Sequence, residues 1–413
     1  MVKVNFLEDE PAIFAAVGVK ISQTPFENGS IKDLYEECKA DKKKSRELVN
    51  MIMKKHGHLI LGDFLSYAIT LEDMSRLSAV YFWRNVNANN LVFGAGIEAS
   101  FRVIKPNRYN KIVIDFGKAA FDIYEKAVNS GISAQDARYI LPEGTLTRMI
   151  FSAPPRHLGK LADSLKNTPL QELKEIGEKI EILIKEKFKL ELPREELPSK
   201  WKFWGKEKIK DGIFLDYREK NHSLSMNMAV KGSLAMYGQL VRQRQILCDI
   251  EPLEEIAKSG IFIVPPSFPE KIKKDYKKIA DLACKKQIEL IKKQDPNFAY
   301  FLLLGQRAKS MIYGKGFQVI EMSKARSEGV AQWEIRNEVG IPITRELAKY
   351  KELIKEIGPR CWREGQCKEP QTFKTKNNIC KAFFQAGGNW KGSLEELLEV
   401  LNKTYETFTV GKD

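Results

Sequence analysis

Apolar residues recur at helical spacing along IKDLYEECKADKKKSRELVNMIMKKHG (31–57), which predicts one amphipathic helix closed by Gly57. The pattern switches to alternation in DFLSYAIT (63–70), a strand. It returns to helical spacing in LEDMSRLSAVYFWR (71–84). A polar, glycine-bearing stretch follows, NVNANNLVFGAGIEASFR. Residues 111–130 then read as a helix stopped by Gly131, and ISAQDARYILPEG as a short helix that Pro142 ends. TLTRMIFSA (145–153) has the look of a strand, and helices fill about 156–188.

After a charged stretch with two prolines (191–222), the same order returns. SLSMNMAV (223–230) reads as a strand and KGSLAMYGQLVRQR (231–244) as a helix. FIVPPSFP (262–269) reads as a loop and 270–294 as a long lysine-rich helix. AYFLLLGQ leads into AKSMIYG, and helices follow from about 317 to 357. Aligning DARYILPEGTLTRMIFS with FAYFLLLGQRAKSMIYG, and LQELKEI with AQWEIRN, gives one series of elements twice. The expected organisation is a first repeat over 1–190, a connector over 191–222, a second repeat over 223–360 and a C-terminal extension over 361–413. Two related modules facing each other would share a cleft.

At 413 residues, 43% hydrophobic and 30% charged, the chain has ample material for buried cores. No run of 18 apolar residues is present, and MVKVNFLEDEP has none of the features of a signal peptide. Six cysteines without small-scaffold spacing fit a reducing compartment, so a cytoplasmic location and no membrane are expected. The net charge of +14 favours anionic partners, either nucleotides and phosphorylated cofactors or nucleic acid itself. Lysine runs such as Lys42–Lys44 and Lys271–Lys274 read as solvated helix faces, because specific phosphate recognition favours the arginine fork.

The stretch with most chemical content is YGQLVRQR (237–244). Gln239, Arg242 and Arg244 crowd polar groups onto a helix end, where they would grip two anionic groups or complement the helix dipole. Other groups carry less. Ser100 has no evident triad, and His56 and His58, at i, i+2, are not a helical metal pair. Cys361, Cys367 and Cys380 lack zinc spacing, so no metal is expected. Cys248 is a candidate nucleophile, with an ordinary buried thiol the commoner case. Trp201, Phe203 and Trp204 among lysines would stack nucleobases or pack the connector.

These residues, taken together, resemble the flavin-dependent thymidylate synthases, also called thymidylate synthase complementing proteins. The family signature runs Q-x-x-R-H-R, E-x-S-x-R, A-R-x-x-L-P, N-A-R and a late arginine before A-Q-W-E-I. In the first half, Glu98, Ser100 and Arg102 resemble E-x-S-x-R, and DARYILP (136–142) supplies Arg138. There Tyr81 stands for the glutamine, Asn85-Val86 follow Arg84 in place of His-Arg, and Pro154-Pro155-Arg156 replaces N-A-R. In the second half, Gln239, Arg242, Gln243 and Arg244 resemble Q-x-x-R-H-R with one His→Gln change. Arg326 precedes Ala331-Gln332-Trp333-Glu334-Ile335, which closely matches the last element. Each half keeps what the other lacks.

The resemblance implies an α/β (α+β) fold of two repeats, each a small mostly antiparallel sheet with packed helices. It implies a homodimer imitating the family tetramer. It also implies FAD as cofactor, NADPH and 5,10-methylenetetrahydrofolate as cosubstrates, and reductive methylation of dUMP at C5 in one composite site. Arg326 would stabilise charge at the uracil edge. Ser100, Arg102 and Arg138 would hold the phosphate, and Gln239, Arg242 and Glu98 would orient the nucleotide. Arg242, Gln243, Arg244, Glu98, Arg156 and His58 are the flavin candidates, and Ser100 is also a candidate in the chemistry. The alternatives are another pyrimidine C5-modifying activity, or a catalytically silent relative that binds nucleotide or nucleic acid.

Overall fold

The computed structural model describes residues 11–23, 30–56, 67–88, 95–98, 111–188, 209, 211–218, 223–243, 246–329, 331–364 and 392–410. Along the first part run α1 (Pro11–Gln23), α2 (Ile31–Ala40), α3 (Lys42–His56), β1 (Tyr67–Ser75), α4 (Arg76–Ala88) and β2 (Ala95–Glu98). They are followed by α5 (Lys111–Asn129), α6 (Ala134–Ala137), a 3-10 turn (Arg138–Ile140), β3 (Leu146–Ala153), α7 (Pro155–Lys166) and α8 (Gln171–Leu183). The second part has β4 (Ile213–Arg218), β5 (Ser223–Ser233), α9 (Leu234–Leu240), β6 (Leu247–Ile250), α10 (Leu253–Ser259), β7 (Ile261–Val264) and α11 (Glu270–Lys292). A 3-10 turn (Pro296–Phe301) leads to β8 (Arg307–Lys315) and α12 (Phe317–Ser327). Then come α13 (Trp333–Ile335), a π-helical segment (Arg336–Gly340), α14 (Ile341–Leu347), α15 (Arg360–Arg363), α16 (Leu394–Leu401) and β9 (Glu406–Thr409).

The expected mixed α/β fold with small antiparallel sheets is borne out. Among the described residues one sheet has the order β1-β3-β2 and another β4-β5-β8-β6. Apart from β4, the second sheet takes its strands in the same succession as the first. The chain forms two compact units, Met1–Met74 with Asn89–Ser100 and Thr147–Trp201, and Ser75–Ala88 with Phe101–Leu146 and Lys202–Asp413. In the first unit α1 packs against α2 and α3, and α7 against α8.

Several local expectations need correction. The single helix over 31–57 is two, because Asp41 leaves helical geometry and its Oδ1 accepts the Lys44 N–H at 2.9 Å, capping α3. Residues 71–75 extend β1. The helix begins only after Ser75, whose Oγ accepts the Ser78 N–H at 2.9 Å. The end of the connector is β4, in register with β5 from Ile213↔Met228 to Arg218↔Ser223. FIVPPSFP opens with β7, which pairs with β9 of the C-terminal extension, Phe262 opposite Phe408. That extension is therefore part of the second unit, where Arg336 Nε also donates to the Leu401 carbonyl at 2.8 Å.

The second unit contains a reciprocal backbone arrangement. Pro142 and Leu303 form an antiparallel bridge. Glu143 N–H donates to Leu302 at 2.7 Å and Leu304 N–H to Leu141 at 2.8 Å. Gly144 N–H donates to Tyr300 at 3.0 Å and Gly305 N–H to Tyr139 at 2.9 Å. The helix starts behave alike: Arg76 and Leu77 donate to Thr145 and Glu143, and Leu234 and Ala235 to Gln306 and Leu304. Both glycines are needed for the close approach, since a Cβ at Gly144 would lie 3.0 Å from the Tyr300 carbonyl and one at Gly305 2.9 Å from that of Tyr139. This register sets Gly144 against Gly305 and Arg138 against Ala299. It differs by one residue from the alignment read off the sequence, which set Arg138 against Tyr300. A run of three leucines carries no register of its own, whereas the glycine contact fixes it.

Candidate functional site

The site is organised by α9. Ser233 caps it, its Oγ accepting the Met236 N–H at 3.0 Å, and Leu234, Ala235 and Met236 bury its first turn. Helical bonding ends at Leu240, so Arg242 lies in the following turn and not on the continuous helix expected over 231–244. Its N–H reaches the Gln239 carbonyl at 3.3 Å. Arg242 and Gln243 therefore lie beyond the helix that carries Gln239. Counting from the matched helix starts Arg76 and Leu234, Tyr81 stands where the second part has Gln239, and Arg84 where it has Arg242.

Arg326, at the end of α12, is brought to this turn. Its Nη2 donates to Gln243 Oε1 at 2.7 Å, while its buried Nε makes no hydrogen bond. The approach depends on Gly340: a Cβ there would lie 2.2 Å from the Arg326 carbonyl oxygen. Burial pulls the Arg326 guanidinium below its ordinary range, opposed by nearby Cys248. The Cys248 thiol is itself pushed up to about 12, by burial first and then by Asp249. At neutral pH it is a buried, protonated thiol, the commoner of the two readings considered for it.

Arg138 is buried on the 3-10 turn that precedes the Pro142–Leu303 bridge. Its Nε and Nη2 make no hydrogen bond. Burial, with Arg76 second, brings its guanidinium down to about 10, against the attraction of Tyr139, Glu334 and Asp136. Arg76 connects it to α9, because Arg76 Nη2 is 3.3 Å from where a Gly238 Cβ would stand. Gly238 precedes Gln239, whose buried Nε2 is also without a hydrogen bond. Unsatisfied buried donors are rare in folded proteins, and three residues supply them here.

A polar network braces the Arg138 turn. Glu334 accepts the Ser233 N–H and the Ser233 hydroxyl at 2.5 Å each, and accepts the Tyr139 hydroxyl. Gln332 Nε2 donates to the Tyr139 oxygen at 2.6 Å, and Trp333 Nε1 to Asp136 at 3.0 Å. Burial raises the Glu334 carboxyl to about 7, in spite of its hydrogen bonds. The A-Q-W-E-I segment thus clamps the segment carrying Arg138. Its roles, and those of Tyr139, Ser233, Arg76 and Gly340, did not emerge from sequence reasoning. The unbroken A-Q-W-E-I match around Glu334 is the one sequence signal that could have found the network.

Arg84 faces Asp249 at 3.6 Å, with both side chains largely buried. Glu98 ends β2 opposite Met149, and the corresponding position of the second sheet, opposite Ser310, is Ile250. Arg156 lies in the first turn of α7, in the first unit. The calls on Ser100, Arg102, Arg244 and His58 fall outside the described residues, as do those on Cys367, Cys380, Trp201, Phe203 and Trp204. Among the described residues no cluster of His, Cys, Asp and Glu could hold a metal, and no helix is long and apolar enough to cross a membrane.

Residues 5–188 match the family described as thymidylate synthase complementing protein. Over 111 residues the chain is 27% identical to the flavin-dependent thymidylate synthase of Saccharolobus solfataricus, a match spanning 25% of this chain and 43% of that protein. A crystal structure of the flavin-dependent thymidylate synthase ThyX from Helicobacter pylori, complexed with FAD and dUMP, aligns with 41% of this chain and 86% of that one. The identity there is 15% and the TM-score 0.30. The thymidylate synthase complementing match lies ahead of the segment that holds Gln239, Arg242 and Arg326.

Proposed function

We propose that the chain is a tandem flavin-dependent thymidylate synthase with one composite nucleotide site, methylating dUMP at C5. The observation carrying this reading is that α9 and its following turn collect Gln239, Arg242 and Arg326 from the second repeat. The Arg76–Gly238 contact then links that helix to Arg138 of the first. The tandem reading itself is supported by the reciprocal bonds across Pro142–Leu303 and the repeated strand order.

The donors suit a nucleotide. Arg138 offers Nε and Nη2 to a phosphate, and Gln239 and Arg326 offer buried N–H groups to carbonyl oxygens. Arg326, lying in a desolvated setting, would favour negative charge on the uracil O4–N3 edge, which is what attack through C5 requires. Arg242 and Gln243 would hold a flavin beside that edge, with Glu98, Arg156, His58 and Arg244 as further candidates from the sequence. When bound, FAD supplies the reducing hydride, with NADPH and 5,10-methylenetetrahydrofolate as cosubstrates. A homodimer is the proposed assembly.

Complementation of a thymidine-requiring strain tests the reading directly. Growth without thymidine, lost in the Arg326→Ala variant, is expected. A purified protein lacking flavin absorbance that instead binds nucleic acid in a salt-sensitive way would replace the enzyme with a binding relative.

A further inference from the structure

We infer that Tyr405, in the C-terminal extension, is a positioning residue of the nucleotide site, acting through Trp333 on the turn that carries Arg138; this rests on the proposed function. Between α16 and β9 the extension runs alongside the π-helical segment, where three consecutive residues each take a partner from it. Arg336 Nε donates to the Leu401 carbonyl at 2.8 Å. The Lys403 N–H donates to Asn337 Oδ1 at 3.1 Å, and the Tyr405 hydroxyl donates to Glu338 Oε1 at 3.0 Å. Partners at 401, 403 and 405 are every second residue, the spacing at which an extended chain turns one side to its neighbour. That pairing fixes where the Tyr405 ring lies.

The ring lies against Trp333, with centroids 5.2 Å apart and planes tilted by 52°. Trp333 in turn reaches the Arg138 turn twice. Its indole stacks on Tyr139, with centroids 6.1 Å apart and planes within 23°, and its Nε1 donates to Asp136 Oδ1 at 3.0 Å. Both ring separations fall in the range where aromatic pairs attract beyond their buried area. Asp136 and Tyr139 flank Arg138 in the chain, and both attract its charge. Arg138 has no hydrogen bond at Nε or Nη2, so its aim depends on what holds the residues to either side. Trp333 is 6% exposed and Tyr139 fully buried, whereas Tyr405 is half-buried, the most exposed member of this line of contacts. Without the Tyr405 ring the indole regains rotational freedom, and its N–H can exchange Asp136 for water. The phosphate donor then loses the fixed placement on which a charge-assisted bond depends.

The test is calorimetric titration of the full-length wild type, Tyr405→Ala, Tyr405→Phe, Trp333→Phe and the Tyr405→Ala/Trp333→Phe double variant with dUMP and with deoxyuridine. The unfolding midpoint of each is measured alongside. Tyr405→Ala should lose about 10-fold in dUMP affinity with deoxyuridine binding unchanged, since only the phosphate contact is disturbed. Trp333→Phe, which keeps a ring and gives up the bond to Asp136, should lose a similar factor. The double variant should lose no more than the larger single loss, because both changes break one line of contacts. Tyr405→Phe keeps the ring and gives up the bond to Glu338, so its unfolding midpoint should fall while dUMP affinity stays within about 2-fold of wild type. Equal losses for dUMP and deoxyuridine would reduce Tyr405 to a structural prop and overturn the inference, as would single losses that add in the double variant. If Tyr405→Ala does not fold, Trp333→Phe decides, since dUMP affinity equal to wild type there would overturn the inference. A wild type that binds no dUMP brings down the function reading and this inference together; one that binds dUMP while the variants match it brings down the inference alone.

Discussion

The Tyr139 hydroxyl donates to the Glu334 carboxylate, joining the turn that carries Arg138 to the segment following Arg326. Because Glu334 is fully buried with its carboxyl raised to about 7 from 4.5, it is a stability switch. Below the unfolded value both states are protonated and no penalty arises. Between pH 4.5 and 7 the unfolded chain ionises while the folded one does not, so stability falls and then levels off above the folded value. The drop should be about 3 kcal/mol. Denaturant titrations of wild type and Glu334→Gln from pH 4.5 to 8 should show that component in the wild type only.

Gly305→Ala should be among the most damaging single changes. Its Cβ would fall 1.9 Å from Tyr276 Oη and 2.9 Å from the Tyr139 carbonyl, and Tyr276 is fully buried and held by the Ile263 carbonyl. Repacking of this kind costs about 3 kcal/mol or more. Chemical denaturation of the soluble variant checks it, and a stability within about 0.5 kcal/mol of wild type would contradict the glycine argument.

Arg326→Ala should leave thermal stability within a few degrees of wild type, because the side chain is only partly enclosed and is held through its bond to Gln243. Turnover should fall by about 100-fold or more, as when a group that stabilises developing charge is removed. Gln243→Leu should fall less, having removed the orientation of Arg326 and not its charge. Steady-state rates with dUMP distinguish the two.

Gly340→Ala should act at a distance from the nucleotide. A Cβ there overlaps the Arg326 carbonyl at 2.2 Å, so the end of α12 must shift and take the guanidinium with it. A displacement of about 1 Å costs on the order of 100-fold in rate. The measurement is kcat against unfolding midpoint, with the loss in kcat expected to exceed what the fraction unfolded explains.

The Arg84–Asp249 pair predicts one nucleotide per chain. Arg84 stands where the second part has Arg242 but is paired with an aspartate, and Ile250 occupies the register position of Glu98. Equilibrium dialysis should return one dUMP per chain. Asp249→Asn should lower stability by about 1–3 kcal/mol, since it leaves a desolvated guanidinium less well compensated.

Much of this was legible in the chain itself. Hydrophobic periodicity located α5, α11, β3 and β5, because burying one face imposes its period wherever the chain folds. The resemblance singled out Gln239, Arg242, Arg326 and Arg138 from the sequence, and the composite site they would form is a proposal. Only tertiary contact could decide the register of the two halves. The leucines of 302–304 align equally well in neighbouring frames, and a steric requirement for glycine at two facing positions selects one. The same holds for Arg76 and Gly340. An arginine after a serine, or a glycine in a helical run, carries no sign of what it touches; Arg76 acquires its meaning from Gly238, and Gly340 from the Arg326 backbone. Local pattern records which face of an element is buried, but what faces it across a long sequence separation is set by packing geometry alone.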